Sequence, residues 1–482
     1  MKTPLSRLLL KSINKHYSRP CLNHITYSNL FENIQHYTKI LKTSQFQPFD
    51  RVVIQSNTKS IDQVGLMIAT WEARGVVVCV PQNFQESILT KVKPKLIMKD
   101  NQISFKESRT FSNKPIDEKD PALILFTSGS TAEPKGVVLS HQNIVSNIES
   151  IQKLNQDYIS HKDRSFSILP WFHCYGLVCE LLFLLSKGAN VRLPTNIKNP
   201  IPEIKFHRPT LLFTVPKMLE KIYKSRWNKP YLSPLLKFYL FGDRIKMISV
   251  GGSYCPQLYI EHFKERFGVP IYQGFGMTET SPMISLNSPS HNLIGSVGQP
   301  LQNVEIKIDS QGQVLVRSPS VMLGYLDYID ENNIIHTKHI LENQWLPTGD
   351  KGFLKDDYLF INGRIKNEYK LSNGKYINPL HLESLILKSP LIDQAIVFPS
   401  ICNNHNICIV YTDSTQTDIS KEILKYLDTV EKYEIPKEYY FFKDPCSIEN
   451  GLLSLKLEPK RQEIIKQWKN LIFVNKKHNE SS

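Results

Sequence analysis

Apolar and polar positions along the chain follow two rhythms. Short unbroken apolar runs at Arg51–Gln55 (RVVIQ), Gly75–Pro81 (GVVVCVP), Leu123–Phe126, Pro209–Val215 (PTLLFTV), Met247–Val250 and Pro270–Tyr272 read as strands buried on both faces, the signature of parallel sheets. Between the first two, Ser60–Arg74 carries its apolar residues at helical spacing, so 51–81 predicts a βαβ unit. Helical spacing also runs from Ile25 to Leu41, with Ser28 as the expected N-cap, and from His141 to Ile151 behind Ser140. Residues 1–24 read as a loosely tied lead-in. From Gly295 the rhythm changes to strict alternation: Val304–Ile308, a Ser-Gln-Gly turn at 310–312, then Val314–Arg317, a hairpin with one buried face. Beyond Gly363 come strand-like Tyr376-Ile377, Ala395–Pro399, Ile407–Tyr411 and Glu438–Phe442, with helices starting near Pro379 and over Asp418–Asp428. The fold class is α/β.

Chemistry concentrates at a few junctions. The strand Leu123–Phe126 feeds TSGSTAEPKG, Thr127 to Gly136, with hydroxyls on Thr127, Ser128, Ser130 and Thr131, glycines at 129 and 136, and Lys135. Glycine lets backbone N–H groups close on an anion, hydroxyls add donors and Lys135 adds charge, so the loop suits phosphate, though it is not a Walker A motif. A second junction, Gln273–Pro282 (QGFGMTETSP), offers Phe275 to stack on a purine, Gly276 to leave room, the Thr278 hydroxyl, and the Glu279 carboxylate suited to Mg²⁺. Gly251-Gly252-Ser253 allows close backbone approach to a flat ligand. At Leu169–Leu177 (LPWFHCYGL) a strand end turns into an apolar helix with His173 at the junction; such a histidine is commonly a core residue. Asp350 follows a Thr-Gly turn, where an aspartate ordinarily caps the turn.

Composition narrows the partners. Lys+Arg exceed Asp+Glu by 59 − 45 = 14, a balance that suits nucleotides, CoA, an acidic carrier protein or an anionic surface. The basic residues are spread throughout, without the arm or block of a nucleic-acid binder. The eight cysteines are scattered and several sit in apolar runs, as reduced core thiols do; Cys402-x-x-His405-x-x-Cys408 lacks a second ligand pair for a metal. The longest apolar candidate for a membrane span, Leu177–Leu185, is too short and contains Glu180, and the N-terminal apolar stretch is too short for a secretory signal. The chain reads as cytoplasmic, with peripheral membrane contact left open.

Together, the Thr127–Gly136 loop, LPWFHCYG, QGFGMTETSP and the Trp345–Asp350 segment resemble the adenylate-forming enzymes: acyl-CoA synthetases, aryl-CoA ligases, peptide-synthetase adenylation domains and luciferases. The resemblance runs from about Ile25 to Arg461, with a shortened stretch at Gln82–Asp120. It implies a large N-terminal domain of αβ-layered sheets with a small β subdomain (1–365), then a small mobile α+β domain (366–482), with Lys366 at the hinge. It implies that Thr127, Ser128, Gly129, Ser130, Thr131 and Lys135 hold the ATP phosphates and that Gly252 and Phe275 line the nucleotide. By the same resemblance, Asp350 takes the ribose hydroxyls, Arg364 holds the nucleotide, and Glu279 binds Mg²⁺. His173 would gate or line the acyl pocket, and Thr278 with Lys456 (or Lys460) would act at the α-phosphate. The Gly374 loop would swing in for thioester formation with CoA. Ala132 stands where the family most often has glycine and Phe275 where it has tyrosine, and the spacing around Lys456 departs from the common one. No aspartate near His173 awaits a substrate ammonium, which argues against an amino acid, and the wording KLSNGKYI and NGLL resembles long-chain fatty acyl-CoA synthetases. The expected reaction is therefore activation of a medium- or long-chain fatty acid and transfer to CoA. Alternatives are an acyl-carrier-protein ligase, an aryl- or succinylbenzoate-type ligase, or a non-catalytic scaffold.

Overall fold

The structure is a computed structural model that describes residues 2–105, 117–127, 134–196, 201–223, 233–330, 334–389, 391–400, 404–412, 416–444, 446–447, 450–453 and 459–468. Two large sheets organise its first two thirds. One places, side by side, Gly324–Ile329, Lys135–Ser140, Pro121–Thr127, Val76–Val80, Arg51–Gln55 and Leu96–Lys99. Its centre is parallel, from Pro121–Thr127 through Val76–Val80 and Arg51–Gln55 to Leu96–Lys99. The other aligns Ile271–Gly276, Met247–Val250, Leu211–Thr214 and Arg164–Phe166 in parallel. The central strands of both are buried on both faces, which is why their sequences run apolar without alternation.

The helices lie between and around these sheets. Ile61–Glu72 is buried from Gln63 to Trp71, with the Ser60 hydroxyl accepting from Gln63 N–H at its start. His141–Leu154 begins in a capping box, Ser140 with Asn143. Two expectations fail near the N-terminus. The lead-in contains a helix, Pro4–Lys15, whose Leu5, Leu9 and Ile13 are fully buried in the main core, each four residues from the last and so on one face. The next helix, Tyr27–Thr43, is capped by Thr26 and not Ser28: the Thr26 hydroxyl accepts from Asn29 N–H, and Ser28 lies inside the first turn.

A four-stranded antiparallel sheet follows, Glu305–Ile308, Gln313–Arg317, Leu346–Lys355 and Tyr358–Arg364. The hairpin at 305–317 forms as expected. The Thr-Gly segment before Asp350, expected as a turn, instead runs within a long strand paired with Tyr358–Arg364, with Asp350 opposite Arg364 and Lys351 opposite Gly363. Residues after Asn367 build apolar clusters of their own. Leu371, Leu382 and Ile386 pack with Val397 and Val410 on one face of the sheet Gln394–Pro399, Asn406–Tyr411, Glu438–Phe442. Phe398, Tyr411, Ile464 and Trp468 pack on the other.

Candidate active site

The site grows from the C-terminal edge of the first sheet. Thr127 ends one strand and Lys135 begins the next, opposite it in the ladder, so the two ends of the loop expected to hold phosphate are fixed against each other. Ser128, Gly129, Ser130, Thr131 and Ala132 lie outside the described residues. On the other side of Lys135–Ser140 runs Gly324–Ile329, with Tyr325 opposite Val137. The ring of Tyr325 receives the Lys135 ammonium, 5.0 Å from its centroid, and the Tyr325 hydroxyl donates to Glu279 Oε1 at 2.7 Å. Burial first, then the charge of Glu279, pushes the Tyr325 phenol above its usual range, so it stays a donor at neutral pH. Glu279 is buried in the short turn Thr278–Thr280, with Thr278 half-buried beside it. One lysine of the first junction and one carboxylate of the second therefore share one tyrosine.

The turn that carries Glu279 is held by the helix behind the phosphate loop. Asn147 donates to the carbonyls of Met283 (2.8 Å) and Thr280 (3.3 Å), and Asn143 donates to those of Pro319 and Val321. The Thr280 hydroxyl donates to Pro282 O at 2.6 Å. The glycine at 276 serves this turn: a Cβ there would stand 1.8 Å from Pro282 O. Gly276 is thus demanded by the chain's own backbone, not by a ligand alone. Glu279 Oε2 accepts no hydrogen bond among the described residues, and no group of three or more His, Cys, Asp or Glu there could hold a metal. That donor set fits Mg²⁺ only in the manner usual for it, one carboxylate with the remaining positions filled by phosphate and water.

The nucleotide-side residues divide. Gly252 has φ +87°, a conformation L side chains rarely adopt, at the end of Met247–Val250. Phe275 is half-buried against Ile284, Val314 and Leu359, so its ring joins the second sheet to the four-stranded one. Asp350 is buried and pairs directly with Arg364, Nε to Oδ1 at 2.9 Å, from the facing strand. The two residues expected to touch the nucleotide separately form a single ion pair, with most of the Arg364 side chain exposed.

His173 lies on a different segment, with neighbours of its own. His173 is half-buried with its ring edge-on to Phe172, just before a π-helix at Tyr175–Leu182. That helix buries Glu180 completely. Glu180 Oε2 accepts from the Ser167 hydroxyl at 2.8 Å, and Lys59 donates to the Ser167 hydroxyl at 2.8 Å and to its carbonyl at 2.5 Å. Burial raises Glu180 to about 7, opposed by Lys59, Ser167 and Ser165; burial lowers Lys59 to about 8, opposed by Glu180. Lys59 also lies 5.5 Å from the Trp171 ring and lines a narrow cleft with Asn57, Thr58, Pro170 and Phe172. Two residues after His173, the Tyr175 hydroxyl bonds Ser249 at 2.9 Å, and its ring would be 3.4 Å from a Cβ at Gly251.

In the C-terminal part, Lys366 lies in the turn Ile365–Asn367, next to Glu368, which pairs with Lys351 at 2.6 Å. Gly374 has φ +83° and a Cβ there would meet only Lys370, at 4.0 Å, so the loop carrying it is open. Lys456 lies outside the described residues; Lys460 is exposed, its N–H bonded to Leu452 O, immediately before a helix at 461–468. Sequence reasoning did not single out Tyr325, Asn143, Asn147, Lys59 or Glu180. For Asn143 the signal was present, since Ser140-x-x-Asn143 is a capping pattern; the others depend on strand neighbours distant in the chain.

Residues 11–326 match the family model described as AMP-binding enzyme. The chloroplastic long-chain-fatty-acid–[acyl-carrier-protein] ligase of Arabidopsis thaliana is 24% identical over 467 residues, covering 76% of this chain and 63% of that protein. The peroxisomal long chain acyl-CoA synthetase 6 of the same plant is 27% identical over 446 residues, covering 75% and 61%. Indoleacetate–CoA ligase of Aromatoleum aromaticum is 29% identical over 349 residues, covering 68% and 65%. The chain thus spans less than two thirds of the length of these relatives. Among solved structures, the anthranilate CoA ligase with anthranoyl-AMP superposes with a TM-score of 0.81 at 16% identity, covering 97% of this chain and 98% of that one. O-succinylbenzoate Coenzyme A synthetase of Bacillus subtilis with AMP gives 0.75 at 22%, covering 94% and 97%. The architecture is theirs.

Proposed function

The chain belongs to the AMP-binding enzyme family, and from that premise we propose that it is an ATP-dependent acid–thiol ligase, which activates a carboxylic acid as acyl-AMP and passes the acyl group to CoA. The observation that carries the reading is the Lys135–Tyr325–Glu279 chain, which sets a cation of the phosphate loop beside a buried carboxylate through a single phenol. In the first half-reaction, a carboxylate oxygen attacks the α-phosphorus and the bond to pyrophosphate breaks. Lys135 and the loop ending at Thr127 orient the leaving phosphates; Thr278 and Lys456 offer a donor and a charge at the α-phosphate. Mg²⁺, when bound, screens charge on the phosphates, and Glu279 is the residue that would hold it. Asp350 would accept the ribose hydroxyls while Arg364 holds its carboxylate in place. In the second half-reaction, the domain after residue 365 turns about Lys366 and brings the Gly374 loop in. The thiol sulfur, its proton lost to solvent, attacks the acyl carbon and the bond to AMP breaks.

The acid is read as a medium- or long-chain fatty acid, supported by the relatives named above and by the apolar wall around His173. A second reading, a compact aryl acid, has one observation behind it: the Tyr175 ring against Gly251 and its bond to Ser249 occupy space along that wall. ATP–pyrophosphate exchange across acetate, octanoate, palmitate, oleate, benzoate, succinylbenzoate and the amino acids, with and without Mg²⁺, tests both. Mg²⁺-dependent exchange with fatty acids supports the first reading, and exchange with aryl acids alone replaces it with the second. Absence of exchange with any acid, from protein that binds ATP, overturns the ligase reading in favour of a nucleotide-binding scaffold.

A further inference from the structure

Away from the site, two helices present an unusual outer face. Ile201–His207 and Ser233–Phe241 are anchored inward by Ile204, Leu240 and Phe241, which are buried in the cluster beneath the second sheet. Their ends are in contact: a Cβ at Gly242 would stand 3.1 Å from Arg208 Cγ and 3.3 Å from Lys205 O. Outward, Phe206 is 75% exposed, Phe238 63% and Tyr239 44%; Phe206 is the most exposed large hydrophobic side chain, and Phe238 the next phenylalanine, among the described residues. The Lys205 ammonium sits 5.0 Å from the Phe206 ring and 4.0 Å from the Tyr239 ring, so one cation serves two aromatics.

The charge around these rings is mostly positive. Lys205, Arg208, Lys237 and Arg244 stand against two acids, Asp243 and Glu203. Asp243 is bound to Arg208, and Glu203 faces His207 while accepting the N–H groups of Thr195 and Asn196. Arg164 has its guanidinium held below the usual range, first by partial burial and then by the fields of Arg244, Arg192 and Arg208, opposed by Asp243. Exposed aromatic rings gathered into one patch mark an interaction surface. Aromatic rings interleaved with lysine and arginine are what an interface with a bilayer selects, rings at headgroup depth and cations at the phosphates.

We propose that the outer faces of these two helices dock the protein on an anionic lipid bilayer, with Phe206, Phe238 and Tyr239 entering the interface and Lys205, Arg208 and Arg244 meeting the headgroup phosphates. The inference does not depend on the ligase reading, and its readout is not activity. The test is co-sedimentation of the full chain with vesicles of phosphatidylcholine alone and of phosphatidylcholine and phosphatidylserine mixed about 3:1. Binding is expected to the mixed vesicles, falling with salt. Phe206→Ser with Phe238→Ser, and separately Lys205→Glu with Arg244→Glu, should each weaken it about tenfold or more, since each basic residue near the surface contributes roughly 1 kcal/mol. Phe353→Ser, at an exposed phenylalanine elsewhere, should bind as the parent protein does. Absence of binding to the mixed vesicles overturns the proposal. So does retention of full binding in the aromatic double variant while the charge-reversed one loses it, which would mark the face as a plain cationic surface suited to an acidic protein.

Discussion

The phenol of Tyr325 joins the cation of one motif to the carboxylate of another, and its two contacts can be separated. Tyr325→Phe keeps the ring under Lys135 and removes the bond to Glu279 Oε1. A hydrogen bond to a charged group contributes on the order of 1.5–3 kcal/mol, and Glu279 is buried, so the variant should lose up to about that much stability while pyrophosphate exchange falls roughly ten- to a hundredfold. An unchanged exchange rate at saturating Mg²⁺ would remove Tyr325 from the site. Glu180 makes a different prediction, in pH. Its folded value, about 7, lies above its ordinary one, so the folded state holds a proton that the unfolded state has released between about 4.5 and 7. Its contribution to stability is complete below that window and is lost as pH rises through it, by at most about 3 kcal/mol. Glu180→Gln cannot lose that proton. The melting temperature of the variant relative to the parent should therefore climb between pH 5 and about 7.5, and a difference that stays flat or declines sinks the assignment.

Among the elements, the first helix shows most plainly what the sequence carried and what it concealed. Leu5, Leu9 and Ile13 repeat at four-residue spacing in PLSRLLLKSINK, which is a helical face, whereas residues 1–24 read as a loose lead-in when that spacing is passed over. The structure buries that face completely, so Leu9→Ala should cost about 2–5 kcal/mol, measurable in denaturant, where a tethered lead-in would cost nothing. The strands flanking the phosphate loop were legible because apolar runs between Gly, Pro and polar clusters have one economical interpretation in an α/β chain. Asp350 and Arg364 were legible as residues, yet not as a pair. Their 14-residue separation becomes contact only through the register of two strands that the Gly and Asn around them disguised as turns. Tyr325–Glu279 and Lys59–Ser167 span 46 and 108 residues, and such contacts follow from strand order, which local pattern does not contain.

At the scale of the whole molecule, the proposed cycle asks two sets of residues, carried by different stretches of the chain, to act in turn. Thr127, Lys135, Glu279 and Tyr325 sit on the first two sheets, whereas Gly374 lies in an open loop beyond the turn Ile365–Asn367, on the part of the chain with its own apolar clusters. Gly374 has room for a methyl group but a backbone at φ +83°, so Gly374→Ala meets no steric contact and instead disfavours the loop conformation by about 1–2 kcal/mol. If the loop serves only the thiol step, this substitution should leave ATP–pyrophosphate exchange within about twofold of the parent and slow CoA-dependent release of AMP about tenfold. Lys456→Ala should suppress exchange outright and with it the AMP release that draws on acyl-AMP, and Lys460→Ala at an exposed position should change neither step if Lys456 is the adenylation lysine. Both steps measured on the same preparations decide the matter. Exchange and AMP release falling together in Gly374→Ala would mean that the loop already participates in adenylation, and a turn of the C-terminal part between the two half-reactions would then have no support.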